Sequence, residues 1–149
     1  MKTFQIPFSK SFAWLFCFVL MASAGATQLS AADPKLEVHL VWGTNDEGIS
    51  KHKALEPALA KKLGMFKWKN YYTVNRKEIA LDGEPQKIRL SSQCEIKVKH
   101  LDEQRYEINI FGEGKHVRKI TEKITKQDSL VIAGDDKNDC AWFILIREF

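Results

Sequence analysis

The chain has 149 residues, with 23 basic side chains against 19 acidic ones and a formal charge of +4. Two of the basic residues, Lys2 and Lys10, fall in an acid-free N-terminal stretch, so the rest of the chain is closer to balance. That excludes the strong positive footprint of a nucleic-acid binder, and the remaining roughly 120 residues suit a single domain.

The N-terminus reads as an export leader. Lys2 and Lys10 precede an unbroken apolar run from Phe12 to Met21. Small residues follow, and Ala22-Ser23-Ala24, Ala24-Gly25-Ala26 and Ser30-Ala31-Ala32 each offer the small-x-small pattern of signal peptidase. An apolar run of about 10 residues is too short for the roughly 20 that span a bilayer. The expectation is a signal peptide over residues 1–26, with cleavage as late as 32. The mature chain then starts at Thr27 or Asp33, periplasmic or extracellular, with no stable membrane insertion after cleavage. Cys17 sits in mid-run behind Trp14-Leu15-Phe16, which suits an apolar signal residue better than a lipid anchor. Residues 27–35 read as a tether and residues 36–149 as one β-rich domain.

Within that domain, Leu36 to Trp42 alternates and then turns apolar, as a strand does. Residues 43–52 have loop composition. Glu56 and Pro57 open a short helix whose apolar positions are Leu59, Leu63 and Phe66, with Gly64 expected in the left-handed C-terminal position. Trp68 to Val74 is aromatic and β-branched, and Asp82-Gly83 makes a turn. Ile88 and Leu90 mark a short strand. Cys94, Ile96 and Val98 alternate with charged residues, and Tyr106, Ile108 and Ile110 do the same after a hairpin at residues 101–105. A turn at Gly112 to Lys115 leads to a more polar strand from Val117 to Ile124. Leu130 to Ala133 and Ala141 to Ile146 are apolar on both phases, which predicts two central strands. The fold class is therefore α+β and β-dominated, an antiparallel sheet or sandwich with one short helix packed on it. An all-β barrel with a helical insertion is the alternative.

Candidate sites are sparse. Cys94 and Cys140 share the inward phase of their strands; a disulfide would close about 46 residues and contribute about 3–4 kcal/mol, while two small buried thiols satisfy the same pattern. His39, His52, His100 and His116 lack metal-ligand spacing and read as surface or strand-end residues. Asp135, Asp136 and Asp139 fail the alternating-ligand order of a calcium loop at Lys137 and again at Cys140, so they read as a hairpin turn. There is no nucleophile elbow, Walker loop or dinucleotide fingerprint, and nothing implies a cofactor. Glu95, Glu107 and Asp102 read as acids of a solvated sheet face, with Lys97, Lys99 and Arg105 near them. The surface feature that points to binding is aromatic. Trp42, Trp68, Tyr71 and Tyr72 crowd the junction of first strand, helix and second strand, and Trp and Tyr serve equally for stacking on sugars, anchoring a protein, or core.

The order of a strand, Glu56-Pro57-Ala58-Leu59-Ala60-Lys61-Lys62-Leu63, then Phe66-Lys67-Trp68-Lys69-Asn70-Tyr71, then hairpins and Gly134-Asp135-Asp136 before the closing strand resembles a family of small exported bacterial proteins of unassigned function. The likeness spans most of residues 36–147. It implies an envelope or secreted non-catalytic module and brings no activity, cofactor or catalytic residues. The expected function is an exported binding or assembly domain acting by protein–protein contact with an envelope partner. The alternative is a carbohydrate- or cell-wall-binding module that holds a polysaccharide on its Trp and Tyr residues.

Overall fold

Period-two alternation dominates the sequence after residue 35, and strands follow it almost throughout. The structure, a computed structural model, describes residues 33–46, 51–135 and 140–149. The expected leader, residues 27–32 of the expected tether, and residues 136–139 of the acidic loop lie outside the described residues. In chain order the elements are β1 (Lys35–Thr44), β2 (Lys53–Ala54), α1 (Pro57–Lys62), a 3₁₀ turn (Gly64–Phe66) and β3 (Asn70–Ala80). They continue with β4 (Gln86–Arg89), β5 (Cys94–Asp102), β6 (Arg105–Gly112), β7 (Lys115–Lys123), β8 (Leu130–Asp135) and β9 (Cys140–Glu148).

The strands form two antiparallel sheets and no closed barrel, one in the order β2-β3-β1-β9-β8 and the other β4-β5-β6-β7. The four-stranded sheet is a meander. The chain leaves the five-stranded sheet after β3, builds that meander, and returns to place β9 beside β1. Between the sheets lies the main core. Leu36, Val38 and Leu40 of β1 and Ile144 and Ile146 of β9 meet Ile96, Val98, Ile108 and Ile110 of the meander. Each is almost wholly withdrawn from water, and burying such a side chain contributes about 1.5–3 kcal/mol.

The opposite face of the five-stranded sheet carries a second, smaller core under the helix. Glu56 stands at the N-cap and Pro57 in the first turn, as the sequence predicts. A six-residue helix cannot hold itself in water, and Leu59 and Leu63 bind it to Val41, Phe143 and Leu145. Tyr71 Oη donates to the Leu63 carbonyl at 2.7 Å, and Lys62 Nζ donates to Ser129 Oγ at 3.0 Å. Gly64 does not take the left-handed position. The chain tightens into the 3₁₀ turn, so the stop moves on to Lys67, whose φ is 62°.

Two further expectations need correction. The second long strand starts at Asn70 and runs on to Ala80, because Asn75 to Ala80 pair with the polar half of β1. Leu130 to Ala133 is not central: β8 is an edge strand. Its apolar residues on both phases record that both faces are covered, since Ile132 packs into the main core and Val131 against the second. A strand's position along the hydrogen-bonding direction leaves no such mark on its side chains. The true centre is β1, flanked by β3 and β9, where even Glu37 and His39 are buried. The β5–β6 hairpin turns at Glu103-Gln104, both with positive φ, a geometry that Asn-Gly usually supplies.

Candidate functional site

The aromatic group expected at the junction is divided by the sheet. Tyr71 and Tyr72 are neighbours in β3 and point to opposite faces. Tyr71 is buried in the second core, its ring 5.8 Å from that of Phe143, and Trp68 packs on the same cluster. Trp42 and Tyr72 lie on the other face as a cross-strand pair, with ring centroids 6.0 Å apart and a 37° tilt. Trp142 stands opposite Trp42 in the register of β1 and β9 and extends the row. All three of these rings are half-buried. The next strand supplies Gly134 opposite Trp142, and a Cβ there would lie 2.1 Å from the indole, so only glycine lets that ring lie down. Trp42 and Tyr72 thus share a surface, and Trp68 and Tyr71 belong to another.

The polar residues that sequence reasoning missed are Glu37 and His39. His39 was expected as a surface or strand-end residue, and Glu37 figured only as a polar position of the alternating strand. They face the helix-bearing side instead and are 1% and 2% exposed. Arg147, paired with Glu37 in the β1–β9 register, donates a hydrogen bond to Glu37 Oε2, and Arg76 of β3 makes an ion pair with Oε1. His39 Nε2 lies 3.1 Å from Glu37 Oε2 but off the hydrogen-bonding line. Arg147 also reaches Glu56 at the start of the helix, at 3.8 Å. Burial pushes the Glu37 carboxyl up, but the hydrogen bond from Arg147, the contact with His39 and the charges of both outweigh it. Its pKa ends below the ordinary carboxylate value. The arrangement is that of a charge cluster whose carboxylate stays ionised, and the two arginines carry it out to the surface. A signal was present in the sequence: Arg76 and Arg147 lie on strands bordering a strand with an inward acid, but only the pairing reveals it.

Sheet edges differ in their defences. The short β2 carries Lys53, β4 carries Lys87 and Arg89, and β7 carries Lys115, Arg118, Lys119 and Lys123. Lysine and shortness are the usual means of keeping an edge from pairing with another chain. The fourth edge, β8, has Leu130, Val131, Ile132, Ala133 and Gly134 in succession and no Lys or Arg. Among the described residues no strand pairs with its outer side.

The remaining candidates resolve into ordinary roles. No disulfide joins Cys94 to Cys140: the first is half-buried, and the second is buried with its Sγ 3.8 Å from Thr44 Oγ1. Burial pushes the Cys94 thiol up, so it stays protonated. His52 is exposed, His100 stacks near Tyr106 at 5.1 Å, and His116 Nε2 lies 3.1 Å from Asn109 Oδ1. Among the described residues no three His, Cys, Asp or Glu side chains gather in a metal-binding group. On the outer face of the meander, Glu95 pairs with Lys87 at 2.9 Å and Glu107 with Lys119 at 2.6 Å. Both partners come from neighbouring strands instead of from Lys97 or Lys99. Arg105 closes the hairpin on Asp102.

No family model matches this chain, and neither a curated protein nor a solved structure matches it significantly.

Proposed function

We propose that this chain is an exported, non-catalytic binding or assembly module that acts by protein–protein contact in the cell envelope. The observation that carries the reading is β8, an edge strand without Lys or Arg whose first five residues are apolar or glycine, beside the largely buried strands β1 and β9. Such an edge offers a row of backbone donors and acceptors to an extended segment of a partner, and alternate side chains then give specificity. The other three edges, rich in Lys and Arg, resist the same pairing.

Polysaccharide binding is the alternative, and the row of Tyr72, Trp42 and Trp142 is what favours it. Half-burial and the 37° tilt weaken the row as a stacking platform, so the protein-contact reading is the stronger.

Ala133 is exposed, so Ala133→Lys places a charge on this edge without disturbing a core. The mature domain and A133K are compared in cross-linking capture from envelope extract, and each recovered protein is then purified and mixed with the domain. The expected result is a purified partner that protects the β8 amides from hydrogen exchange and loses that effect with A133K. Binding that leaves β8 unprotected and is unchanged in A133K overturns the reading, and specific retention on cell-wall polysaccharide with no protein partner replaces it by the alternative.

A further inference from the structure

The outer face of the meander carries more cations than its own acids neutralise. Ile88, Ile96, Ile108 and Ile120 pack into the main core, so alternation turns Lys87, Arg89, Lys97, Lys99 and Lys119 outward. Arg105 and Lys123 face each other at the hairpin end of the same surface. Three acids share it, and each is already held. Lys87 takes Glu95 at 2.9 Å, Lys119 takes Glu107 at 2.6 Å, and Arg105 takes Asp102 at 2.6 Å. Arg89, Lys97, Lys99 and Lys123 are left, and they make no ion pair among the described residues.

Defence of an edge accounts for only some of these charges. Lys97 and Lys99 lie on β5, an interior strand with a neighbour on each side. Lys97 also stands directly opposite Lys87 in the β4–β5 register, and like charges so placed destabilise a sheet. A bound anion relieves that repulsion. Beside the same cations the face is hollowed into a polar recess of about 560 Å³, lined by Arg89, Ser92, Gln93, Lys97 and Phe111 among others. The half-buried Phe111 ring lies opposite Glu95 in the register, edge-on to His116 at 5.3 Å. From there Lys97 and Lys99 continue along β5, which makes a track of about 14 Å. The other side of the meander offers an anion nothing. There the sheets part beside Trp142 to leave a cleft of about 340 Å³, lined by Glu113 and by no Lys or Arg.

We propose that the outer face of the meander binds an acidic glycan, a linear chain of sugar units bearing carboxylates. One sugar ring lies against Phe111 with its hydroxyls toward Ser92 and Gln93, and the carboxylates face Arg89, Lys97 and Lys99. An acidic peptide fits less well, because its backbone needs donors and acceptors that a strand edge offers and a sheet face does not. An anionic bilayer needs apolar side chains to insert, and no exposed large apolar residue lines the recess. The site lies on the other sheet from the β8 edge and does not depend on it.

Hexagalacturonate is the probe, titrated by calorimetry against the mature chain at low salt, with its methyl ester as the neutral analogue. The double variant K97E/K99E reverses charge at two exposed positions, and Phe111→Leu removes the ring while keeping an apolar side chain. Tyr72→Ala and A133K report on the aromatic row and the β8 edge, and circular dichroism checks that every variant is folded. Hexagalacturonate is expected to bind, the methyl ester and K97E/K99E each to weaken binding by about tenfold or more, and added salt to weaken it further. F111L is expected to bind several-fold more weakly, and Y72A and A133K to bind as the unaltered chain does. No binding to the unaltered chain, equal affinity for the methyl ester, or unchanged affinity in folded K97E/K99E overturns the proposal. Loss in Y72A with K97E/K99E unaffected moves the glycan to the aromatic row and overturns it too. Unchanged affinity in F111L overturns the placement of the sugar ring. Tighter binding of hexaglutamate, of a thymidine hexanucleotide or of phosphatidylglycerol vesicles through the same lysines overturns the glycan as occupant.

Discussion

Glu37 is held at 1% exposure by one strand, yet both its oxygens are met by guanidinium groups from the strands on either side. Its pKa is lowered in the folded state, so its contribution to stability is present above the unfolded value near 4.5 and is lost as pH falls through the folded value. Glu37→Gln should flatten that acid limb of the stability curve in urea melts. At neutral pH it should cost about 1–3 kcal/mol, the toll of an unsatisfied buried group. The larger cost of a stranded buried charge does not apply, because Arg76 and Arg147 are 48% and 30% exposed and can turn to water. An unchanged acid limb in E37Q would refute the assignment. Tyr106 gives the opposite expectation. Its ring is 0% exposed in the main core, and its hydroxyl has no hydrogen-bond partner among the described residues. Burial, with the charge of Glu148, pushes its pKa up to about 12. Tyr106→Phe should thus leave stability unchanged or raised. A loss above about 1 kcal/mol would mean that the hydroxyl holds a bond.

At the scale of elements, the helix is a lid that depends on two leucines. Leu59 and Leu63 are 2% and 0% exposed against Val41 and Phe143, and six helical residues have too few internal hydrogen bonds to persist unaided. Either leucine changed to alanine should cost about 2–5 kcal/mol in chemical denaturation. A cost under about 0.5 kcal/mol, the scale of surface changes, would detach the helix from the core in this account. The Arg147–Glu56 contact is a lesser tie, since a 3.8 Å pair with an exposed glutamate is well screened.

For the molecule as a whole, stability should be unequal across its layers. β1 and β9 are flanked on both sides and buried on both faces, whereas β7 is an edge whose residues are nearly all exposed. Hydrogen exchange should therefore be slowest in β1 and β9 and fast along β7. Slowest exchange in the meander would place the stable nucleus in the other sheet. The β8 edge and the cleft at Trp142 lie on this unequal framework, the one extending the rigid sheet and the other opening between the two.

What the sequence by itself determined was local. Alternation at Ile96, Val98, Ile108 and Ile110 made strands with an inward face. Glu56 and Pro57 started a helix, and the spacing of Leu59 and Leu63 aimed it at a sheet. These signals survive because each depends on side chains within a few residues of one another. Tertiary structure decided the rest. Glu37 and His39 look like outward residues of an alternating strand, and only a helix and two arginines from distant strands make their face interior. Leu130 to Ala133 looks central because its faces are covered, but face burial is silent about hydrogen-bonding neighbours, and the sheet order leaves it at the edge. Trp42 and Trp142 are 100 residues apart in the chain and become neighbours only through strand register. The row they form with Tyr72, and the cleft that Trp142 lines, are products of pairing that no window of sequence contains.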